Sequence, residues 1–291
     1  MKSNEVIIAE ARKKFHKALV DSRLLCISSS GIPSNADGGN SPSKGIALGI
    51  AKMLHAKVAQ KLPAQSSGNL FEGAVCAFLK DTFPNLQHLR PGKWTILNLG
   101  NRAETDTACF AQYAHLSYLS EVVRREKMLS AALGNDYMIA PDIVVSRALC
   151  SDTEINKKAK WVDGSVATRA DLRESNGGSP ILHASISAKW TMRSDRAQNS
   201  RTEALNLIRN RKGRLPHIVV VTGEPLPSRL ASLALGTGDL DCVYHFALYE
   251  LIAAVREYGK NGREDIVEQL ETLVEGKRLK DISDLPLDLA C

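Results

Sequence analysis

The sequence predicts an α/β fold in which helices surround a central β-sheet. Apolar, β-branched runs at 94–99, 137–145, 181–190, 218–221 and 242–245 are typical of strands. Segments with apolar side chains at helical spacing lie around them, at about 4–20, 44–60, 68–82, 106–133, 196–212, 226–234, 247–259 and 263–275. Strands alternating with helices favour one sheet, so we expect a single domain over residues 1–291.

Turn-forming residues mark the connections between these elements. Residues 21–43 are rich in Ser, Gly, Asn and Pro, which predicts a loop, and 63–68 separates the second and third helices. Gly213 and Pro216 indicate the end of the helix at 196–212. Residues 150–180 are polar and charged, and we interpret them as an excursion from the core.

The bulk composition restricts the class of protein only loosely. The net charge of the 291 residues is +6, which permits a polyanionic partner without requiring one. The six cysteines include no Cys-x-x-Cys pair, so we expect buried free thiols rather than disulfides or a zinc site. The N-terminus is unlike a signal peptide and no apolar run could span a bilayer, so we expect a cytoplasmic protein with no membrane partner.

The segment 183–203 is the most informative part of the chain. Residues 182–189 alternate between apolar and polar side chains, with the polar ones at His183, Ser185, Ser187 and Lys189. A half-buried strand with one wet face explains this alternation equally well. However, Lys189 is followed, after three residues, by Arg193-Ser194-Asp195-Arg196, a set of side chains suited to reading bases.

Asp142 and Lys189 form a candidate catalytic pair. Pro141-Asp142 lies in the apolar run 137–145, where a carboxylate is costly unless it has a partner. An Asp and a Lys on two diverging strands match the PD…(D/E)-x-K pattern of nucleases, although this generic motif also occurs by chance. Ser187 occupies the position expected for the second acid, and a glutamate stands instead at Glu203 on the following helix.

In this position of the second acid, the chain resembles one group of type II restriction endonucleases, whose DNA recognition sites have a CCGG core. Further runs resemble the GCCGGC-specific enzymes of that group: 34–37 (SNAD), 187–189 (SAK), 193–196 (RSDR), 209–217 (RNRKGRLPH) and 277–288 (KRLKDISDLPLD). The resemblance covers nearly the whole chain and is weakest at the first residues, at 150–180 and at 255–275. It implies a restriction-endonuclease-like fold with a central mixed β-sheet.

The resemblance also implies a metal-dependent active site. By position, Asp142 and Glu203 would hold Mg²⁺ together with the backbone carbonyl of Ala188, and we expect Mn²⁺ to substitute. Lys189 would orient the attacking water, Glu72 would be an additional carboxylate, and Ser187 would fill the vacated acid position. Without the resemblance, Glu72 is more simply a solvated helix residue, and Glu203 an acid in the first turn of a helix.

Side-chain chemistry and the same resemblance also indicate which residues recognise the DNA bases. Arginine fits O6 and N7 of guanine and a carboxylate accepts from N4 of cytosine, so Arg193, Asp195 and Arg196 suit a G·C-rich major groove. The resemblance assigns 193–196 to the CCGG core, Asp37 and Arg229 to the outer G·C pair, and Gln65 to the minor groove. Run 193–196 could otherwise be a surface ion-pair cluster, and the basic run 209–214 either contacts phosphates or caps a helix.

These assignments predict a hydrolase that cuts double-stranded DNA after the first G of GCCGGC and leaves 5′ overhangs. A palindromic site implies a two-fold dimer, and the resemblance extends this to a homotetramer with contacts in the 150–180 excursion. No nucleotide cofactor is expected, since no Gly-Lys-Ser/Thr follows Gly45 and Gly49. The alternatives are a repair nuclease on the same fold and a DNA-binding protein that has lost catalysis.

Overall fold

The computed structural model describes residues 6–100, 107–133, 141–192, 194–236, 238–260 and 262–291, with the backbone alone at 194–197. Its centre is a six-stranded sheet in which the spatial order of the strands follows the chain. The strands are β1 Trp94–Asn98, β2 Ile143–Arg147, β3 Ile181–Lys189, β4 His217–Thr222, β5 Cys242–His245 and β6 Leu279–Asp281.

The sheet is mixed, as predicted. Strands β1, β2 and β3 pair antiparallel, whereas β3 to β6 pair parallel. Each parallel step needs a crossover connection, and helices supply it between successive strands. The helices of the described residues are α1 Ile7–Asp21, α2 Ser41–Met53, α3 Ala64–Thr82, α4 His115–Arg125, α5 Lys127–Leu133, α6 Asp152–Ile155, α7 Ser194–Asn210, α8 Pro227–Ala234, α9 Leu248–Gly259, α10 Glu264–Glu275 and α11 Leu285–Asp288.

Several boundaries differ from the sequence predictions. The strand expected at 137–145 begins only at Ile143, so Pro141 and Asp142 precede it; residues 134–140 lie outside the described part. Helix α3 starts at Ala64, which puts Gln65 in a helical turn rather than in a loop. The helix expected at 106–133 is divided into a 3₁₀ turn, α4 and α5, and the chain ends on β6 and α11 rather than on two helices.

Strand β3 is buried on both faces. Its polar residues Ser185 and Ser187 are 5% and 8% exposed, and its apolar residues are buried as well. The interpretation of β3 as a strand with one wet face is therefore wrong. The alternation instead separates an apolar core face from a face covered by other parts of the protein, including Ser200 of α7, whose hydroxyl lies 3.4 Å from that of Ser187.

The cysteines are all free thiols, as expected, but only Cys26, Cys76 and Cys242 are buried. Cys109 and Cys291 are exposed and Cys150 is intermediate, so burial was predicted correctly for half of them. In the described residues no helix has the length and apolar character needed to cross a membrane.

Arg12 connects three elements at the far end of the sheet. Its guanidinium lies 2.6 Å from Glu250 of α9 and 2.9 Å from Asp281 of β6. Asp281 is fully buried, and burial alone would raise the pKa of its carboxyl; the Arg12 guanidinium outweighs this and lowers it. The ion pair therefore stabilises the fold above the ordinary pKa of Asp281, and the contribution is lost as the pH falls through the lowered value.

Replacing Arg12 tests this connection. We expect Arg12→Met to lower the free energy of unfolding by about 3–5 kcal/mol at pH 7, because it leaves a buried carboxylate uncompensated. Urea denaturation measures the loss. The matched control is Lys13→Met, which removes an exposed ion pair with Glu10 and should change stability by about 0.5 kcal/mol or less. Equal effects in the two variants would contradict the assigned role of Arg12.

Candidate active site

The pairing of β2 with β3 places Asp142 beside Lys189. The two strands run antiparallel with Ile143 opposite Ile186, so the residue before β2 lies at the end of β3. Asp142 and Lys189 are far apart in sequence, yet the Lys189 Nζ lies 2.8 Å from the Asp142 Oδ2. The expected juxtaposition is therefore present, although Asp142 stands at the entrance of its strand and not within it.

A single oxygen of Asp142 accepts all the hydrogen bonds that the described residues donate to this carboxylate. The Lys189 Nζ and the Ala188 amide each lie 2.8 Å from Oδ2, and the Ser187 hydroxyl lies 3.3 Å from it. The second oxygen, Oδ1, accepts none from these residues. The carboxylate is thus oriented through one oxygen, which leaves the other available to a ligand.

Lys189 is held in its charged form. Burial opposes the ammonium, but attraction to Asp142, and then to Glu203 and Glu72, outweighs burial and raises the pKa of Lys189. The side chain is 20% exposed, so it can still meet a ligand from solvent. Lys189 is therefore a stable cation at the mouth of the site.

Glu203 approaches the site from α7. It stands in the middle of that helix, which begins at Ser194, so the helix dipole of a first turn does not explain its position. Burial raises the pKa of Glu203, Lys189 opposes the shift, and repulsion from Asp142 adds to it. No residue in the described part of the chain donates a hydrogen bond to its carboxylate. A half-buried, unsatisfied acid beside a second acid is a candidate cation ligand.

Glu72 approaches from α3. The neighbouring Phe71 packs on Trp190 just after β3, with ring centroids 5.1 Å apart, and this contact brings α3 against the end of the strand. Burial first, and then repulsion from Asp142, raise the pKa of Glu72 to about 7 despite the opposing attraction of Lys189. Glu72 is therefore not a fully solvated helix residue. Gln65, near the start of the same helix, is exposed.

The donor set suits a hard divalent cation. Three acids surround one lysine, so the site carries excess negative charge when all are ionised, and carboxylate and carbonyl oxygens favour Mg²⁺ or Mn²⁺ over zinc. Across the described residues, no group of three or more His, Cys, Asp or Glu side chains is close enough to hold one ion. The set that the resemblance implies, Asp142 and Glu203 with the Ala188 carbonyl, includes only two such side chains and stays a prediction.

The recognition segment is described only in part. Arg193 lies outside the described residues, and for Ser194, Asp195 and Arg196 only the backbone is described, in the first turn of α7. The turn at 194–196 follows Lys189, the end of β3, after a few residues in the chain. The base contacts assigned to these side chains stay predictions.

Asp37 and Arg229, both assigned to the outer base pair, are brought together. The Arg229 Nη2 makes an ion pair with the Asp37 Oδ2, although the residues lie in the loop before α2 and in α8. Both side chains are about one-third exposed. The Asp37 backbone amide is held by the Ser43 hydroxyl at 2.9 Å. The pair is thus fixed at the surface with one face open to solvent.

Two residues that contact this region were missed. Ser200 touches Ser187, and Glu224, 1% exposed, lies 3.7 Å from Arg229. Glu224 follows a buried strand at a parallel-strand carboxyl end, which is where ligand sites of α/β sheets lie. The position of Glu224 directly after the apolar run 218–221 could have identified it as a candidate site residue.

A cavity lined by three arginines lies away from this cluster. It has a volume of about 200 Å³ and includes Arg90, Arg147 and Arg214 among its lining residues. It adjoins the amino end of β3 at Ile181–His183, whereas Lys189 ends the strand. No residue predicted for catalysis or recognition lines it, so we do not equate it with the active site.

A mixed sheet that carries an acid before one strand, a lysine at the end of the next and further acids on flanking helices defines a metal-dependent nuclease of the restriction-endonuclease-like class. The family model for the NgoMIV restriction enzyme matches residues 15–291. The chain is also 53% identical over 285 residues to the type II restriction enzyme NgoMIV of Neisseria gonorrhoeae, covering 98% of this chain and 99% of that one. The chain belongs to the NgoMIV restriction enzyme family, and it is a site-specific deoxyribonuclease that acts on DNA with a divalent metal ion.

Crowding of the carboxylates can be tested without DNA. In EDTA, the folded state should protonate Glu72 at about pH 7, whereas the unfolded chain does so near the ordinary value of 4.5. Between these values the folded state binds more protons, so wild-type stability falls as the pH rises. We expect Glu72→Gln to become progressively more stable than wild type from pH 4.5 to 7, with a constant difference above that.

Urea denaturation at several pH values in EDTA measures this difference. Glu121→Gln, which removes an exposed carboxylate of α4, is the control for the loss of one negative charge and should not reproduce the rise. If the difference in the free energy of unfolding between Glu72→Gln and wild type did not change with pH, the pKa of Glu72 would not be raised by burial and by its neighbouring carboxylate.

Proposed function

We propose that this protein cuts double-stranded DNA at GCCGGC, after the first G, and leaves 5′ overhangs, with Mg²⁺ as its cation. The observation that carries the proposal is the cluster of Asp142, Lys189, Glu203 and Glu72. In the sequence, the Arg-Ser-Asp-Arg run at 193–196 lies between Lys189 and Glu203 of this cluster. The relationship to NgoMIV supports the site, since both residues assigned to the outer base pair are present. We infer that residues 1–291 act as one endonuclease domain.

In the proposed site Asp142 and Glu203, with the Ala188 carbonyl, would hold the metal ion. When bound, the ion would supply positive charge beside the phosphate and lower the pKa of water. Two unit charges at 4 Å repel by roughly 4 kcal/mol at an effective dielectric of about 20, so the acids alone would exclude a phosphodiester. The donors from β3 occupy Oδ2 of Asp142, so Oδ1 is the oxygen of this carboxylate that would be available to a cation.

Lys189 has two roles in this proposal. Its Nζ fixes Asp142 at 2.8 Å and, because it keeps a partly exposed charge, can also donate to the scissile phosphate or to the attacking water. Ser187 adds a weaker bond to the same carboxylate and keeps α7 close through Ser200. Glu72 stands near Asp142, where its raised pKa suits an exchange of protons with water at neutral pH.

Recognition uses the segments on either side of this cluster. Arg193 and Arg196 would contact guanines of the CCGG core in the major groove, Asp195 would accept from a cytosine amine, and Ser194 would lie between them. Asp37 and Arg229 would read the outer G·C pair, and Gln65 would contact the minor groove. The ion pair of Asp37 with Arg229 supports this assignment, because it holds both groups at one exposed position.

The proposed assembly is a homodimer, with one active site for each DNA strand, that pairs into a homotetramer. The 150–180 excursion is the proposed contact. It is an ordered unit: Arg173, 4% exposed, binds Asp152 through two bonds of 2.6 and 2.7 Å and the carbonyls of Val166 and Asp163. Its Trp161 is 69% exposed, as expected for a side chain that a partner would cover.

Plasmid cleavage tests the proposed chemistry. Wild-type protein should linearise DNA with a single GCCGGC site in Mg²⁺ or Mn²⁺, and sequencing of the ends should place the cut after the first G. EDTA should abolish cleavage. Asp142→Asn should lower the rate by about a thousandfold or more, because several kcal/mol of charge stabilisation is lost. Cleavage that persists in EDTA would contradict this site.

Competition binding tests the proposed recognition. Arg193→Ala should weaken binding to GCCGGC relative to DNA without the site by about tenfold or more, since a bidentate arginine–guanine contact contributes about 1–3 kcal/mol of discrimination. Arg256→Ala on α9, an exposed arginine paired with Glu271, is the matched loss of charge and should leave the ratio unchanged. If Arg193→Ala weakens both bindings equally, Arg193 contacts phosphate and not a base.

A further inference from the structure

The turn at residues 222–226, after β4, connects the catalytic strand to both recognition segments. Thr222 is paired with Lys189 in the sheet, and its hydroxyl donates to the Lys189 carbonyl at 2.9 Å. The Gly223 amide donates to the same carbonyl at 3.2 Å. The backbone of the catalytic lysine is therefore held by this turn.

Close packing fixes the turn against two further segments. A Cβ at Gly223 would lie 2.6 Å from the Trp190 ring and 2.7 Å from the Trp190 carbonyl, so only glycine fits here without a shift. On the other side, the Asn35 side-chain amide donates to the Gly223 carbonyl at 2.8 Å. Asn35 is buried and belongs to the loop that carries Asp37. The turn thus contacts Trp190, shortly before 193–196, and the loop that carries Asn35 and Asp37.

Glu224 is the side chain through which these segments meet. Its Oε2 accepts the Met192 amide at 3.0 Å, immediately before Arg193, and also lies 3.7 Å from the Arg229 Nη1. Its Oε1 accepts the Leu226 amide at 3.1 Å, at the start of the helix that carries Arg229. Glu224 therefore contacts the backbone just before residues 193–196, which we call the core-recognition segment. It also contacts the start of α8 and, at 3.7 Å, the Arg229 guanidinium that this helix carries.

A carboxylate at this depth is costly for folding. Glu224 is 1% exposed, and burial raises its pKa to about 7, while the Met192 amide and Arg229 oppose the shift. A buried polar group is tolerated when its hydrogen bonds are satisfied. Here two backbone amides donate to the carboxylate, and the Arg229 guanidinium adds a positive charge at 3.7 Å. Capping of the turn alone would need only the Leu226 contact, so the contacts to Met192 and Arg229 call for another explanation.

We propose that Glu224 is a positioning residue for sequence specificity, which keeps the core-recognition segment and Arg229 in register with each other. This inference rests on the proposed recognition of GCCGGC. Glu224 does not touch DNA in this account. It acts through Met192 and Arg229, so its loss should impair discrimination at the core and at the outer base pair together, whereas loss of Arg229 impairs the outer pair alone.

Competition binding tests the coupling. It is carried out without Mg²⁺, so that DNA is not cut, and at a pH above the raised pKa of Glu224, so that the wild-type carboxylate is ionised. Three duplexes are compared: GCCGGC, ACCGGT with the outer pair changed, and a site with the core changed. Glu224→Gln retains the shape of the side chain but loses its charge and one acceptor oxygen. We expect both discrimination ratios to fall, each by about tenfold, as for the loss of a hydrogen bond to a charged group. Arg229→Ala should lower only the ratio for the outer pair.

Two further variants guard against a general loss of structure. Glu250→Gln makes the same change in another partly buried ion pair, with Arg12, and should leave both ratios as in wild type. Glu224→Asp keeps the negative charge on a side chain that is one methylene shorter. Both discrimination ratios should therefore fall less than in Glu224→Gln. Thermal melting reports whether each variant is folded.

The outcomes separate this inference from the proposed function. If wild type does not prefer GCCGGC, the proposed function itself fails. If wild type does and Glu224→Gln weakens binding to all three duplexes equally, Glu224 is only structural and the inference is overturned. A fall in the outer ratio alone also overturns it, because Glu224 would then act on Arg229 without the core segment. Loss of folding in both Glu224 variants would likewise show a structural role.

Discussion

The contact between Asp142 and Lys189 is the constraint on which the active site depends. It exists because β2 and β3 pair antiparallel, so the entrance of one strand meets the end of the other. The bonds from Lys189 and the Ala188 amide fix one oxygen of the Asp142 carboxylate. Glu203 and Glu72 are close enough to Asp142 for its charge to raise the pKa of both. Without that contact the acids would be three repelling charges at the edge of a sheet. With it, they form a site whose excess negative charge a divalent ion can neutralise.

The same strand end also organises recognition. Lys189 and the start of α7 are separated by only a few residues, so the proposed catalytic cation and the proposed base-reading side chains share one short segment. The turn at 222–226 holds that segment from the next strand and reaches the Asp37 and Arg229 pair through Asn35 and Glu224. This arrangement gives a physical route by which correct contacts at the bases can be linked to the placement of Lys189. Rigid, hydrogen-bonded strand ends position such groups more accurately than free loops do.

Most of the strands and helices could be predicted because their apolar spacing is regular; β5 was predicted with its observed bounds, Cys242–His245. Short elements such as β6 and α11 were missed, since three or four residues carry too little periodicity. Asp142 and Lys189 were found from the strand pattern and the generic nuclease motif. The roles of Glu203 and Glu72 came from the resemblance, since local patterns alone would have left both as ordinary helix acids. The contact of Glu224 with Met192 could not be predicted, because the two residues are distant in sequence and meet through the parallel pairing of β3 with β4.

The central claim is that Asp142, Glu203 and the Ala188 carbonyl share one hard cation. The most direct measurement is the anomalous diffraction of Mn²⁺ in crystals of the protein with uncleaved DNA. The account predicts an anomalous peak within about 2–2.6 Å of an oxygen from each of these three residues, which is the coordination range of such oxygen ligands. A peak bound only by other residues, or by Asp142 without Glu203, would contradict it.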